Sequence, residues 1–343
     1  MARFLIVQPA FLGDLVLTLP LVARLREKYP QSEVHLLVRQ EVTPLLEGHP
    51  WINRVWGWDK SWRGWFRVYR QLRLYSWEGI WVVQRFARAG LLGWLLPASF
   101  RVTYDKSPLS FLYTYRVPHR FAEGEHETRR VLRLGGVIGL SEELPPPPWL
   151  FPPPLEIETA SPYIVVSPTS RWATKEAPFS YWQNFLRQVP EKLTIYLTGM
   201  PSDRERLEQL VPCHPRIHNM AGRLTLSQLA ALVQGARRVY SVDSALTHIA
   251  SALGVPATVV FCSTVPAFGF GPLAPGSSIV EVEEPLLCRP CGIHGKRTCP
   301  LSHFRCGRQL PLPPLLASLN EALLQSPHTS ACPLPPAHTA PSP

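Results

Sequence analysis

Twice in this chain a short apolar run passes through a polar loop into an amphipathic helix, once from Arg3 and again from Tyr163. That order is the βα unit of a parallel sheet, in which each strand needs a crossover to reach its parallel neighbour. In the first half, residues 3–8 predict a strand, 9–13 a loop, and 14–29 a helix with Leu15, Leu19, Val22 and Leu25 on one face, stopped by Pro30. Residues 33–38 and 80–84 predict further strands. In the second half the expected strands are 163–167, 193–198, 237–242 and 257–261, and the helices between them are 179–189, 202–211, 225–235 and 245–253.

A chain of 343 residues fits two such domains better than one. The expected fold is therefore α/β: two Rossmann-like domains facing each other across a cleft, the GT-B arrangement. The expected boundaries are 1–155 for the first domain and 156–310 for the second. A helix at 311–325 is expected to return to the first domain, followed by a disordered tail at 326–343. Prolines 145–148 and 152–154 mark the interdomain linker, and the tail is rich in Ser, Thr, Pro and His without apolar periodicity. Ligands of open α/β sheets bind beyond the carboxyl ends of the strands. Chemistry is thus expected in the loops at 8–14, 167–175, 199–203 and 243–248.

The net charge of +10 is concentrated. Residues 51–140 hold fifteen basic and six acidic side chains, whereas the rest of the chain is nearly balanced. The same window holds eight of the eleven tryptophans. Interleaved cations and aromatics suit an anionic lipid surface or a phosphorylated glycolipid, and equally a solvated basic face over a Trp-rich core. No nucleic-acid motif accompanies the charge, so no nucleic-acid partner is expected. Met1-Ala2-Arg3 runs straight into a strand, which predicts a cytoplasmic protein. The apolar stretch at 89–100 contains Pro97 and is too short to span a bilayer.

Cys288, Cys291, Cys299 and Cys306 follow a C-x2-C-x7-C-x6-C spacing that encloses His294 and His303. Structural zinc, reduced thiols packed in a loop, and redox chemistry are the three readings. No catalytic metal site is expected.

Three loops carry the candidate chemistry. Asp14 stands where a helix cap is expected, and a carboxylate there is also placed to accept a proton from an incoming hydroxyl. Residues 167–175 combine the hydroxyls of Thr169, Ser170 and Thr174 with the cations Arg171 and Lys175. This is either a cradle for a diphosphate or an ordinary polar loop. Residues 242–248, Val-Asp-Ser-Ala-Leu-Thr-His, join a strand to a helix N-terminus, where free N–H groups and the helix dipole favour phosphate. Asp243 or Ser244 also suits a cap. The glycines at 269 and 271 allow close backbone approach to a ligand, or form a surface turn.

With these residues laid out, the chain resembles glycosyltransferase family 9, the ADP-heptose:lipopolysaccharide heptosyltransferases, and looks most like the heptosyltransferase II type. Residues 11–20 are similar to the N-terminal motif, whose Asp is the general base; here that is Asp14. Residues 170–175 resemble the donor-phosphate loop, with Lys175 in the position of its lysine. Residues 242–248 resemble the motif in which Asp243, Ser244, the backbones of Ala245 and Leu246, and His248 contact the ADP-sugar. The resemblance also implies a backbone contact to adenine at Leu224 and an acidic donor contact at Asp203. Ala245 and Arg171 depart from the glycine and threonine of other members. The implied activity is inverting, metal-independent transfer of heptose from ADP-heptose to the lipid A core of lipopolysaccharide. The expectations that go with it are that no cofactor is required, that the acceptor binds within the basic 51–140 region, and that the enzyme associates with the inner face of the plasma membrane. The rival readings are another sugar-nucleotide activity on the same fold, an epimerase included, and a non-catalytic basic glycolipid-binding protein.

Overall fold

The structure is a computed structural model that describes residues 1–120 and 124–324; the tail expected to be disordered lies outside the described residues. The strands are β1 (Arg3–Val7), β2 (Glu33–Arg39), β3 (Arg54–Trp58), β4 (Trp77–Val82), β5 (Ala98–Tyr104), β6 (Tyr115–Val117), β7 (Tyr163–Ser167), β8 (Thr194–Leu197), β9 (Ile217–Asn219), β10 (Val239–Val242), β11 (Ala257–Phe261) and β12 (Ser278–Glu281). The α-helices are α1 (Leu12–Val16), α2 (Leu19–Lys28), α3 (Trp62–Leu72), α4 (Ala87–Leu95), α5 (Glu127–Gly136), α6 (Phe179–Leu186), α7 (Arg204–Glu208), α8 (Leu226–Gln234), α9 (Ala245–Leu253), α10 (Arg305–Arg308) and α11 (Pro313–Leu324).

Two six-stranded sheets result, in the orders β3-β2-β1-β4-β5-β6 and β12-β11-β10-β7-β8-β9. Every strand pair in both is parallel. Counted from its own first strand, the second sheet has the same order as the first, the Rossmann order 3-2-1-4-5-6. Strand order reverses between β1 and β4 in one sheet and between β7 and β10 in the other. The loops after these strands carry the candidate residues.

Parallel strands covered on both faces read as continuous apolar runs, and β1, β7 and β11 are buried almost throughout. The strands not expected from sequence are β3, β5, β6, β9 and β12. Most of these carry exposed or half-exposed positions, and β3, β6, β9 and β12 lie at or next to sheet edges in the two orders. The single helix expected over 14–29 is broken at Leu17–Thr18. The Thr18 hydroxyl donates to the Asp14 carbonyl at 2.8 Å, and Pro20, which has no N–H to give an earlier turn, stands in the first turn of the next helix.

The largest apolar cluster belongs to neither half alone: it joins Phe4, Leu21, Trp81 and Trp149 to Tyr163, Leu232, Ile249 and Phe261. The proline-rich segment expected to be a linker is packed into it. Trp149 is buried, its backbone N–H donates to the Ala252 carbonyl at 2.6 Å, and its own carbonyl meets His49 Nε2 at 3.0 Å. A second cluster fills the other face of the second sheet.

Helix α11 belongs to this second cluster, which corrects the expectation that it returns to the first domain. Leu315 and Leu319 pack with Tyr240 and Val280, Tyr181 donates from its hydroxyl to the Pro311 carbonyl at 3.0 Å, and Glu321 pairs with Arg238 at 2.9 Å. Arg238 is fully buried, and a guanidinium removed from water needs a counter-ion. α11 supplies it only from the second domain.

Candidate active site

The loops after β1 and β10 meet edge to edge. A β-carbon placed on Gly13 would stand 3.0 Å from His248 Cδ2 and 3.8 Å from the Ala245 α-carbon, so the first loop abuts the N-terminal turn of α9. Asp14 follows at once. It is not the N-cap: that position is Phe11, and Asp14 sits inside the first turn of α1. Burial pushes its carboxyl up to about 6, and the nearby Glu127 adds to the effect. The Phe11 N–H, Lys60 and Arg85 offset part of it. A half-buried carboxylate tuned in this way is suited to accept a proton near neutral pH.

Across the contact, Asp243 directly follows β10 and does not cap α9. Its Oδ2 accepts from Thr264 Oγ1 at 2.7 Å and lies 2.7 Å from Lys175 Nζ, both within a largely buried environment. Ser244 is the N-cap residue of α9, yet its side chain makes no capping bond. Its hydroxyl oxygen is buried without a partner, as is Nδ1 of His248. Burial holds His248 neutral, pushed down to about 3, with His126 contributing in the same direction. An ammonium, an unspent hydroxyl, an unspent imidazole nitrogen and the N-terminus of a nine-residue helix thus converge beside Gly13. Buried polar groups are otherwise nearly always bonded, so this set holds hydrogen-bonding capacity that suits a polar, anionic ligand.

The remaining expected donor residues are arranged around this centre. Thr169 donates to Asp203 Oδ2 at 3.0 Å, and Asp203 also accepts from the Met200 N–H at 2.9 Å. The Asp203 carboxylate therefore ties two loops together. Ser170 gives its N–H to Glu176 at 2.9 Å. Arg171 is exposed and lies over the ring of Phe11 at 5.0 Å, a contact between the two halves. Leu224 packs against the shared apolar cluster just before the Thr225 cap of α8. Leu246 is buried in the first turn of α9, next to the half-buried Ala245.

A family model described as glycosyltransferase family 9 (heptosyltransferase) matches residues 65–301. The chain belongs to glycosyltransferase family 9. Lipopolysaccharide heptosyltransferase 1 of Pseudomonas aeruginosa is 27% identical, over 95% of this chain and 99% of that one. A lipopolysaccharide heptosyltransferase 3 of Escherichia coli is also 27% identical, over 74% of this chain and 82% of its own. Among solved structures, E. coli ADP-heptose lipopolysaccharide heptosyltransferase II superposes with a TM-score of 0.74 at 20% identity, covering 94% of this chain and 99% of that one. E. coli heptosyltransferase WaaC with ADP gives 0.73 at 19%, covering 93% and 99%. These structures carry the two-domain GT-B fold.

Several residues of this family 9 glycosyltransferase reach the site without a sequence signal. Thr264 comes from the loop after β11, Glu127 from the start of α5, and Lys60 and Arg85 from loops after β3 and β4. Each lies far along the chain from the motif it meets. The glycines at 269 and 271 lie in a loop whose backbone meets the start of α5. Gly269 has φ +91° and presses on the Glu125 carbonyl, where a β-carbon would clash. The Gly269 carbonyl accepts from the Glu127 N–H at 2.8 Å, and the Gly271 carbonyl meets His126 Nε2 at 3.0 Å. What closes on this loop is the first domain.

The zinc reading of the cysteines is also corrected. Among the described residues, no group of three or more His, Cys, Asp or Glu side chains is placed to hold a metal ion. The thiols make local contacts instead: Cys291 donates to the Cys288 carbonyl at 3.4 Å, and Cys288 lies 3.8 Å from His303 Nε2. Cys306 is buried in the second core, where burial pushes its thiol up to about 11.

Proposed function

We propose that this family 9 glycosyltransferase moves a heptose from ADP-heptose to the inner core of lipopolysaccharide, by inversion and without a catalytic metal. The observation that carries the reading is the junction at Gly13: a carboxylate tuned to about 6 stands one residue from the wall of an anion-receiving site. Relatives named as heptosyltransferases supply the substrate class.

In this mechanism the acceptor hydroxyl gives its proton to Asp14, and its oxygen attacks the anomeric carbon from the face opposite the nucleotide. The bond from that carbon to the diphosphate oxygen breaks, and ADP leaves with the electron pair. Lys175, the Ser244 hydroxyl and the free N–H groups of α9 take up the growing phosphate charge. Lys175 is held by Asp243, so it is presented as part of a pair whose ammonium turns toward phosphate when the donor binds. Neutral His248 offers a hydrogen bond without adding charge. Lys60 and Arg85 stand beside Asp14 on the acceptor side, where they suit the phosphates of a lipid A core.

The outer face of α3 supports an anionic membrane surface as the place of work. Trp62 and Phe66 are each 55% exposed among Arg63, Arg67 and Arg70, while Trp65, Val68 and Leu72 hold the helix to the core. Aromatic rings between cations on one helical face suit the headgroup boundary of a cytoplasmic leaflet. Among the described residues no helix is long and apolar enough to cross a membrane.

The test is an acceptor-dependent transfer assay with ADP-heptose and a lipid A core acceptor on the wild type and Asp14→Asn. Product that requires acceptor and is lost in the variant supports the reading. Consumption of donor without acceptor, or full activity in the variant, rejects it.

A further inference from the structure

The cysteine-bearing segment between β12 and α10 contributes no strand to either sheet, yet its backbone is bonded to the site at several points. At one end Arg289 donates to the carbonyls of Cys262 at 2.7 Å and Thr264 at 2.8 Å, and pairs with Glu281 at 2.6 Å. The Cys291 N–H donates to the Ser263 carbonyl at 2.9 Å. At the other end Lys296 grips Thr174. The Lys296 N–H donates to Thr174 Oγ1 at 2.7 Å, and the Lys296 carbonyl accepts from the Thr174 hydroxyl at 3.0 Å and its N–H at 3.1 Å. Ser263 Oγ donates to the same hydroxyl at 2.9 Å, so its one donor and both acceptor sites are used.

Between these anchors Gly295, at φ +74°, lies directly over Lys175. A β-carbon there would stand 3.1 Å from Lys175 Cγ, 3.2 Å from Ser263 Oγ and 3.2 Å from Thr174 Oγ1. A lysine stem has four rotatable bonds and wanders unless something packs along it. Here the residue before it is fixed by a saturated hydroxyl, its stem is covered by a glycine backbone, and its ammonium ends 2.7 Å from Asp243. Thr264, which bonds the same Asp243 oxygen, is held from behind by Arg289.

We infer that residues 289–296 form a strap that positions Lys175 and Asp243 for the donor diphosphate, with Thr174, Gly295 and Arg289 as its positioning residues. The inference rests on the reading of Lys175 and Asp243 as the donor-phosphate site. It assigns the cysteine-bearing segment a task in transfer that involves neither metal nor redox chemistry. The strap acts on where the ammonium stands rather than on whether the chain folds.

The experiment is a double-mutant cycle on the full chain, read by calorimetric titration with ADP and by donor kcat/KM. Its variants are Thr174→Val, Lys175→Ala and both together. Thr174→Val keeps the shape and removes the hydroxyl. If the strap works through Lys175, Thr174→Val weakens ADP binding and donor kcat/KM about tenfold in the native background and less than about twofold when Lys175 is already Ala. Thr174→Ser, which restores the hydroxyl, recovers most of the loss. Gly295→Ala gives a second route to the same result from the surface of the strap, should Thr174→Val fold poorly. Equal losses from Thr174→Val, or from Gly295→Ala in its place, in both backgrounds overturn the strap and leave the donor reading intact. A Lys175→Ala protein that binds ADP and turns over donor like the wild type overturns the donor reading, and the strap with it.

Discussion

His248 lies so close to Gly13 that a single added carbon on the glycine would meet the imidazole Cδ2 at 3.0 Å. This contact joins the loop that carries the proposed base, Asp14, to the helix proposed to receive the donor, α9. Gly13→Ala should therefore act on alignment more than on folding. The expected loss in kcat is about tenfold or more, with the stability change held to about 1–2 kcal/mol. Steady-state kinetics beside a thermal melt will show it; a variant with wild-type kcat would mean the contact sets no distance that matters.

Removing the carboxylate should separate chemistry from binding. Asp14→Asn is expected to lower transfer by about 100- to 10,000-fold, the usual range for a lost general base. Its ADP affinity should stay near that of the wild type, since the residues proposed to hold the donor follow β7 and β10, in the other sheet. Parallel loss of affinity and rate would point to a structural role for Asp14 instead.

The pH profile follows from the same group. Asp14 must be ionised to take a proton, and burial with Glu127 nearby pushes its carboxyl up to about 6. Activity should be level above that value and fall about tenfold per pH unit below it. Glu127→Gln removes a negative neighbour while keeping a hydrogen-bonding partner for Arg130, so the acid limb should move to lower pH. A limb that stays in place, measured as kcat/KM against pH, would falsify the assignment.

Ser244 offers a test in which stability and affinity part company. Its hydroxyl oxygen is buried and unbonded. Replacing it with Ala removes an unsatisfied group, so Ser244→Ala should melt within about 0.5 kcal/mol of the wild type or slightly above it. ADP affinity should nonetheless drop several-fold. A melt that falls together with the affinity would show that the hydroxyl serves the fold.

A metal-free reaction predicts indifference to chelation. Transfer measured after treatment with a strong chelator and exchange into metal-free buffer should match the untreated rate. A large loss restored by added divalent cation would require a different account of how the diphosphate is neutralised.

The parts of the fold that sequence made legible are those where both faces of a strand are buried, because only there is the apolar run unbroken. β7 and β11 match their expected limits, and so does α9. Strands with exposed positions were missed because they read as a charged or aromatic mixture: the edge strand β3 is Arg-Val-Trp-Gly-Trp, and the inner strand β5 carries Arg101 and Thr103 in its run. At the site, each motif was visible within its own loop. The contact between loops was not, because Gly13 and His248 are distant in sequence and glycine signals only that something comes close. Asp203 and the glycines at 269 and 271 show the same limit. Their residue types fit a ligand, and the partners they meet here, Thr169 for Asp203 and the Glu127 N–H for the Gly269 carbonyl, are distant in sequence.

The apolar cluster shared by the two halves changes what the proline-rich segment can be. With Trp149 locked between His49 and Ala252, and with Leu21 and Trp81 in the same continuous core as Leu232 and Ile249, the segment is no pivot on which two independent bodies swing. The halves should therefore lose their structure in one cooperative melt. A cut at the prolines would release two greasy surfaces, not two working modules.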